Sequence, residues 1–156
     1  MTSFGISKRS ARVFAMELLY AMELTKQPVG KCVDGILDSM RAASKKELAA
    51  EMKRYGMSLV DLIQEHRAEL DALLEEYSQG WSLDRLAILD RLLLYIALTE
   101  LQYKPDVPVK VVINEAVEIA NKFSTENSSR FINGILNQFA RSKGMLASDN
   151  QEERSK

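Results

Sequence analysis

Between Leu86 and Leu101 the chain is apolar at nearly every angle a helix can present: Leu86, Ile88, Leu89, Leu92, Leu93, Leu94, Ile96, Leu98 and Leu101 leave no polar face. A helix of that kind must be surrounded by other elements. A bilayer is not the surrounding: Asp90, Arg91 and Glu100 interrupt the run, and no window reaches the ~18 uninterrupted apolar residues of a membrane helix. The remaining windows carry apolar residues at spacings of three and four, and strand-type alternation is absent over any useful length. The chain therefore reads as all-α, a compact helical bundle of about six to seven helices, either as one domain or as two small subdomains sharing a core.

Stripes and punctuation place the helices. The first is expected from Ser7 to about Leu24, with Ala11, Ala15, Leu18 and Met22 as its buried stripe and Gln27-Pro28-Val29-Gly30 as its end. A short second helix carries Val33, Ile36, Leu37 and Met40. Ser44-Lys45-Lys46-Glu47 has the form of a capping box. From Leu48 through Met52, Tyr55, Leu59, Leu62, His66, Leu70 and Leu73 to Tyr77 the spacing keeps phase across Gly56. That predicts one long helix, bent at the glycine. Trp81-Ser82-Leu83-Asp84-Arg85-Leu86 looks like the next start, with Ser82 as N-cap, Asp84 at the positive helix end and Trp81 stapled onto Leu86. The central helix then runs to about Tyr103. Pro105 and Pro108 break it, and Pro108 suits the first turn of a helix carrying Val112, Ala116, Ile119, Ala120 and Phe123. After the polar loop Ser124 to Asn127, a last helix begins near Ser128 and buries Phe131 or Ile132, Ile135, Leu136 and Phe139. One domain is expected over residues 1–144, with an N-terminal half to about 78 and a C-terminal half from about 79. The polar tail, 145–156, is expected to be disordered.

Little here is suited to bond chemistry. His66 is the one histidine and falls in an apolar slot, so it reads as structural; Cys32 is the one cysteine and reads as a helix-packing residue. A zinc site needs several ligands at defined spacing, and no such cluster is visible. No glycine-rich phosphate-cradling string occurs. Paired carboxylates, Glu75-Glu76 and Glu152-Glu153, lie at a helix end and in the tail. No enzyme, cofactor or metal is expected. A single thiol and the absence of a leader-type apolar run in Met1 to Ser10 fit a cytoplasmic protein.

Net charge is -1, so a nucleic-acid partner has to be met by a local patch. Lys8, Arg9 and Arg12 supply one, with no acidic residue before Glu17. At helical rotation Arg9, Arg12, Met16 and Tyr20 share about one quarter of the circumference. Guanidiniums neutralise phosphates and an aromatic ring stacks on unpaired bases. A solvated basic helix start with Tyr20 in the core would use the same residues. A second element, Asn121 to Phe131, combines Lys122 and Arg130 with amides, hydroxyls and a helix N-terminus that favours phosphate. Simple capping by Asn127 or Ser128 is the plainer reading of it. Glu17, Asp84 and Asp90 are charges on otherwise apolar helices. Asp90 is expected to face solvent or a partner, or to pair locally with Arg91 or Arg85.

Three blocks give the chain a family resemblance: Ser10-Ala11-Arg12-Val13-Phe14-Ala15-Met16-Glu17-Leu18-Leu19-Tyr20; Trp81 to Leu86 followed by Leu89-Asp90-Arg91-Leu92-Leu93-Leu94; and Asp106 to Ala120, closing with Phe131-Ile132-Asn133-Gly134-Ile135-Leu136. In this order and spacing they resemble the NusB family of transcription antitermination factors over nearly the whole length. The resemblance implies a bundle of about seven helices that binds boxA RNA together with NusE, a small-subunit ribosomal protein, within the RNA polymerase antitermination complex, chiefly for ribosomal RNA synthesis. Some members form homodimers that hide the RNA site. Carried over by position, Lys8, Arg9 and Arg12 match the arginine-rich RNA-binding segment and Asn127, Arg130 and Phe131 the second RNA-contacting edge; Lys122, from the basic element read above, is expected to act with them. Tyr20 and Asp90 match positions facing NusE, and the charges Glu17 and Asp84 are expected to join them on that side. The chain departs from the family at Ser10 and Tyr95, where arginine is common, and at Thr99, where tyrosine is usual. A bundle that binds only protein is the alternative. NusB-like domains also occur in certain RNA cytosine methyltransferases, but no cofactor-binding βαβ pattern is present here.

Overall fold

The computed structural model describes residues 8–44, 48–78 and 86–146. Among these residues there are seven helices and no strand: α1 (Arg9–Thr25), α2 (Val29–Ser44), α3 (Ala50–Glu65), α4 (Arg67–Tyr77), α5 (Ile88–Tyr103), α6 (Val109–Phe123) and α7 (Glu126–Ser142). The all-round apolar helix is the axis. Every residue of α5 from Leu92 to Leu101 is buried, and α1, α3, α4, α6 and α7 all pack on it. α1 is the second axis, enclosed by α2, α3 and α5, with Ala11, Phe14, Ala15 and Leu18 inaccessible. A single apolar cluster draws on all seven helices.

Helix ends follow local chemistry. Lys26 takes a left-handed conformation, φ 58, and its N–H bonds the Met22 carbonyl, which closes α1. Pro28 then permits an immediate restart, and Lys31 N–H bonds its carbonyl at 3.0 Å. Pro108 stands at the N-cap of α6, one position before the first turn. The Thr125 hydroxyl accepts the Ser128 N–H at 3.1 Å and caps α7, so neither Asn127 nor Ser128 is the cap. The second helix is not short; α2 has 16 residues. The capping string Lys45 to Glu47 and the start Trp81 to Arg85, Asp84 included, lie outside the described residues, as does 147–156. α5 itself opens at Ile88 with Ala87 at its N-cap, six residues after Ser82.

The long helix expected from Leu48 to Tyr77 is two helices, and the break is at His66 rather than Gly56. The hydrogen-bond ladder passes on either side of His66 (His66 N to Leu62 O and Leu70 N to His66 O, both 2.9 Å), so the sequence spacing slips by little. The imidazole is not in an apolar slot. It is partly exposed and stacks on Tyr103 with ring centroids 4.4 Å apart. The turn lets α4 reach α7, where Tyr77 meets Phe139 edge-on and bonds the Ser142 hydroxyl at 2.6 Å.

Gly56 has a different task. It is the point where α3 crosses α1, and a Cβ there would lie 2.6 Å from Phe14 Cδ2 and 2.9 Å from the Ala11 carbonyl oxygen. The Ala11 contact is backbone, so the helices themselves would have to part. Alanine is worth roughly 1 kcal/mol over glycine inside a helix, but overpacking costs about 1–3 kcal/mol. Gly56→Ala is therefore expected to lower the urea midpoint of unfolding; a raised midpoint would show that the crossing is looser than its geometry.

Candidate nucleic-acid interface

The start of α1 carries the cations singled out from sequence, and its surroundings decide what each can do. Arg12 is 1% exposed. Its Nε donates to Glu100 Oε1 at 2.7 Å and its Nη2 to Glu100 Oε2 at 2.9 Å, a two-pronged pair between α1 and α5. Its Nη1 donates to Glu115 Oε1 of α6 at 3.3 Å, and the Tyr55 hydroxyl of α3 donates to Glu100 Oε2 at 2.7 Å. Burial disfavours the Arg12 charge, but the bonds to Glu100 outweigh it and raise its pKa above the ordinary value. Burial, and then the charge of Glu100, push the Tyr55 phenol up as well, which keeps it a neutral donor. Arg12 thus ties α1, α5 and α6 together, and it does not offer its guanidinium to a phosphate. The expectation that Arg12 contacts RNA directly is corrected on that ground. Met16 is also buried, so of the stripe proposed on α1 only Arg9 and Tyr20 reach the surface.

Arg9 lies at the rim of the same network. Its side chain is 48% exposed while that of Glu115 is 5% exposed. Nε donates to both Glu115 oxygens, at 3.2 and 3.1 Å, and Nη2 donates to Oε2. That hydrogen bond raises the Arg9 pKa, with a further push from the Glu118 charge. Beside it the Lys8 ammonium sits 4.2 Å from the centre of the Tyr55 ring. On the other flank Lys122, exposed at the end of α6, lines a groove with Ser10, Val13 and Glu17 of α1 and the methionines Met40 and Met52. The fold therefore brings the start of α1 and the end of α6 to one edge.

That edge continues into the turn between α6 and α7, which Asp90 holds. Asp90, in the first turn of α5, is buried and accepts the Ser124 hydroxyl at 3.0 Å and the Ser128 hydroxyl at 2.7 Å. It neither faces solvent nor pairs with Arg91, whose side chain bonds Glu23 and the Tyr95 hydroxyl. Asp90 as a partner-facing charge is corrected accordingly: it fixes the turn from which Asn127 and Arg130 project, both exposed. Arg130 makes an i,i+4 bridge to Glu126 at 2.9 Å, with both side chains at the surface. Phe131 is partly buried against the core. Glu17 is half-buried, and burial raises its pKa. Tyr20, Leu24 and Phe123 are the large apolar side chains left exposed among the described residues.

Two departures from the family pattern have different fates. The Tyr95 hydroxyl accepts from Arg67 Nε at 3.1 Å and donates to Asp71, linking α5 to α4. Thr99 is inaccessible, and its hydroxyl has no hydrogen-bond partner among the described residues. Sequence reasoning missed the carboxylates that decide the site, Glu100 and Glu115. Glu100 had a visible signal: a charge at the thirteenth residue of a helix with no polar face to hold it.

The fold and this edge define an all-helical bundle that presents cations, amides and apolar rings, with scattered carboxylates, around a locked ionic centre. The chain matches the model of the NusB family over residues 9–141. It is 35% identical over 134 residues to the transcription antitermination protein NusB of Myxococcus xanthus, covering 86% of this chain and 94% of that protein. T. maritima NusB shares the fold with a TM-score of 0.75 at 32% identity, covering 86% of this chain and 90% of that one. So does the structure of antitermination factors NusB and NusE in complex with dsRNA, with a TM-score of 0.75 at 24% identity, covering 87% of this chain and 97% of that one. The chain belongs to the NusB family.

Two expectations follow from the network. Arg12→Ala leaves Glu100 buried beside a phenol alone, and removal of one partner of a buried pair costs about 3–5 kcal/mol. The loss is to be read by urea unfolding; a loss near the ~0–1 kcal/mol of an exposed pair would refute the burial. Asp90→Ala unties two serines, which should cost about 1–3 kcal/mol and speed amide exchange selectively in the turn between α6 and α7. Uniform exchange would place Asp90's effect elsewhere.

Proposed function

We propose that the protein is a transcription antitermination factor that binds boxA-type RNA together with NusE and helps RNA polymerase read through terminators, chiefly in ribosomal RNA operons. On this reading it works in the cytoplasm as an adaptor rather than an enzyme. The observation that carries the proposal is a match to the family from Arg9 to Arg141 in a fold that gathers Arg9, Lys122 and the α6–α7 turn on one edge. A known structure in which NusB and NusE are in complex with dsRNA supports the choice of partners.

Division of labour follows from exposure. Lys8, Arg9, Lys122 and Arg130 supply charge to the RNA backbone, while Asn127 and Phe131 stand where unpaired bases can be bonded or stacked. Arg12 acts indirectly, by holding the start of α1 against α5 and α6. Tyr20 and Glu17 offer a mixed apolar and acidic face to NusE, whose basic character complements it. Asp90 serves that face and the RNA edge through the turn it fixes.

A bundle that binds protein alone is the second reading, favoured by the pairing of Arg9 and Arg12 with Glu115 and Glu100. Fluorescence polarisation of labelled boxA RNA with and without NusE separates the two. Binding should weaken as salt rises, and Arg9→Ala with Lys122→Ala should reduce the slope of log affinity against log salt by about 0.7 per lost phosphate contact. NusE binding without any RNA contribution from this chain would favour the second reading.

A further inference from the structure

We propose that Glu115 is a positioning residue for RNA, a fixed carboxylate that splints Arg9 so that its outer edge meets a phosphate. The inference rests on the RNA reading above. Arginine carries five N–H donors in a rigid fork. Glu115 engages Nε and Nη2, the inner edge of Arg9, and the Nη1 end makes no bond to any described residue. The Arg9 side chain is half exposed while Glu115 is buried, so Arg9 keeps accessible surface beyond its bonded edge. The free edge is the one whose geometry matches two phosphate oxygens.

A competing arrangement would have phosphate displace Glu115 from Arg9. The surroundings of Glu115 oppose it. Its remaining partner would be Arg12 at 3.3 Å, and Arg12 is already held by both oxygens of Glu100. Displacement would leave a buried carboxylate poorly compensated, which is costly. Keeping Glu115 in place leaves a negative charge near the phosphate, but it removes rotamer freedom from Arg9 before RNA arrives, so less is lost on binding. A second carboxylate provides a contrast. Glu118, on the exposed side of the same helix, acts on Arg9 only through its charge. It repels phosphate and orients nothing.

Neutralising either glutamate removes one negative charge beside the RNA, yet the expected effects have opposite signs. With labelled boxA RNA and NusE, Glu118→Gln should leave affinity unchanged or raise it, and Glu115→Gln should lower it about three- to tenfold, the scale set by the rotamer freedom of one arginine. In an Arg9→Gln background the Glu115→Gln loss should vanish. Equal or tighter binding by Glu115→Gln overturns the proposal, and so does a loss that persists without Arg9, which would mean that Glu115 acts through folding alone. If Glu115→Gln melts below the assay temperature, Glu115→Asp keeps the charge but withdraws it by one methylene; wild-type affinity in that folded variant overturns the proposal. Failure of the unaltered protein to contribute to RNA binding overturns the RNA reading itself, a result distinguishable from all of these.

Discussion

Everything else in the bundle is arranged around the two-pronged bond between Arg12 and Glu100. Each residue lies on one of the two most enclosed helices, α1 and α5, and neither ion reaches water. Such a pair is not a source of large net stability, because desolvation consumes most of what the attraction returns. Its value is registry. An apolar interface between two helices tolerates sliding by a turn, whereas a guanidinium fork meeting a carboxylate tolerates almost none. Tyr55 from α3 and Glu115 from α6 complete the set, so four helices are indexed to one another at a single point. Arg9, at the rim, inherits its position from that point.

Three polar clusters divide the work in this way. The first orders the start of α1. The second, Asp90 with Ser124 and Ser128, orders the turn before α7. The third, with Glu23, Arg67, Asp71, Arg91 and Tyr95, joins α1, α4 and α5. The residues that remain accessible, Lys122, Asn127, Arg130 and Tyr20, are presented by these clusters and do not take part in them. The geometry of that edge thus depends on contacts made inside the bundle.

How much of this could be read from the amino-acid string depended on range. The central helix was plain because a segment apolar on all sides has one physical destination, and α5 is buried as expected. Gly56 looked like a bend because glycine weakens a helix, but the signal that mattered was its lack of volume at a crossing with Phe14, a contact no local pattern records. The actual break, at His66, costs so little phase that periodicity runs across it. A helical wheel put Arg9, Arg12, Met16 and Tyr20 on one side correctly, yet could not say that a neighbour covers the middle of that side. The partners of Arg12 lie 88 and 103 residues away, and those of Asp90 34 and 38. Positions of charge were legible; their pairing across the fold was not.

Tyr95 shows how such pairing narrows what one position accepts. Its hydroxyl takes a bond from Arg67, faces Arg91 and gives a bond to Asp71. An arginine in its place would set three guanidiniums against the two carboxylates Asp71 and Glu23. A cation at this buried site would therefore need a matching exchange on α4 or α5.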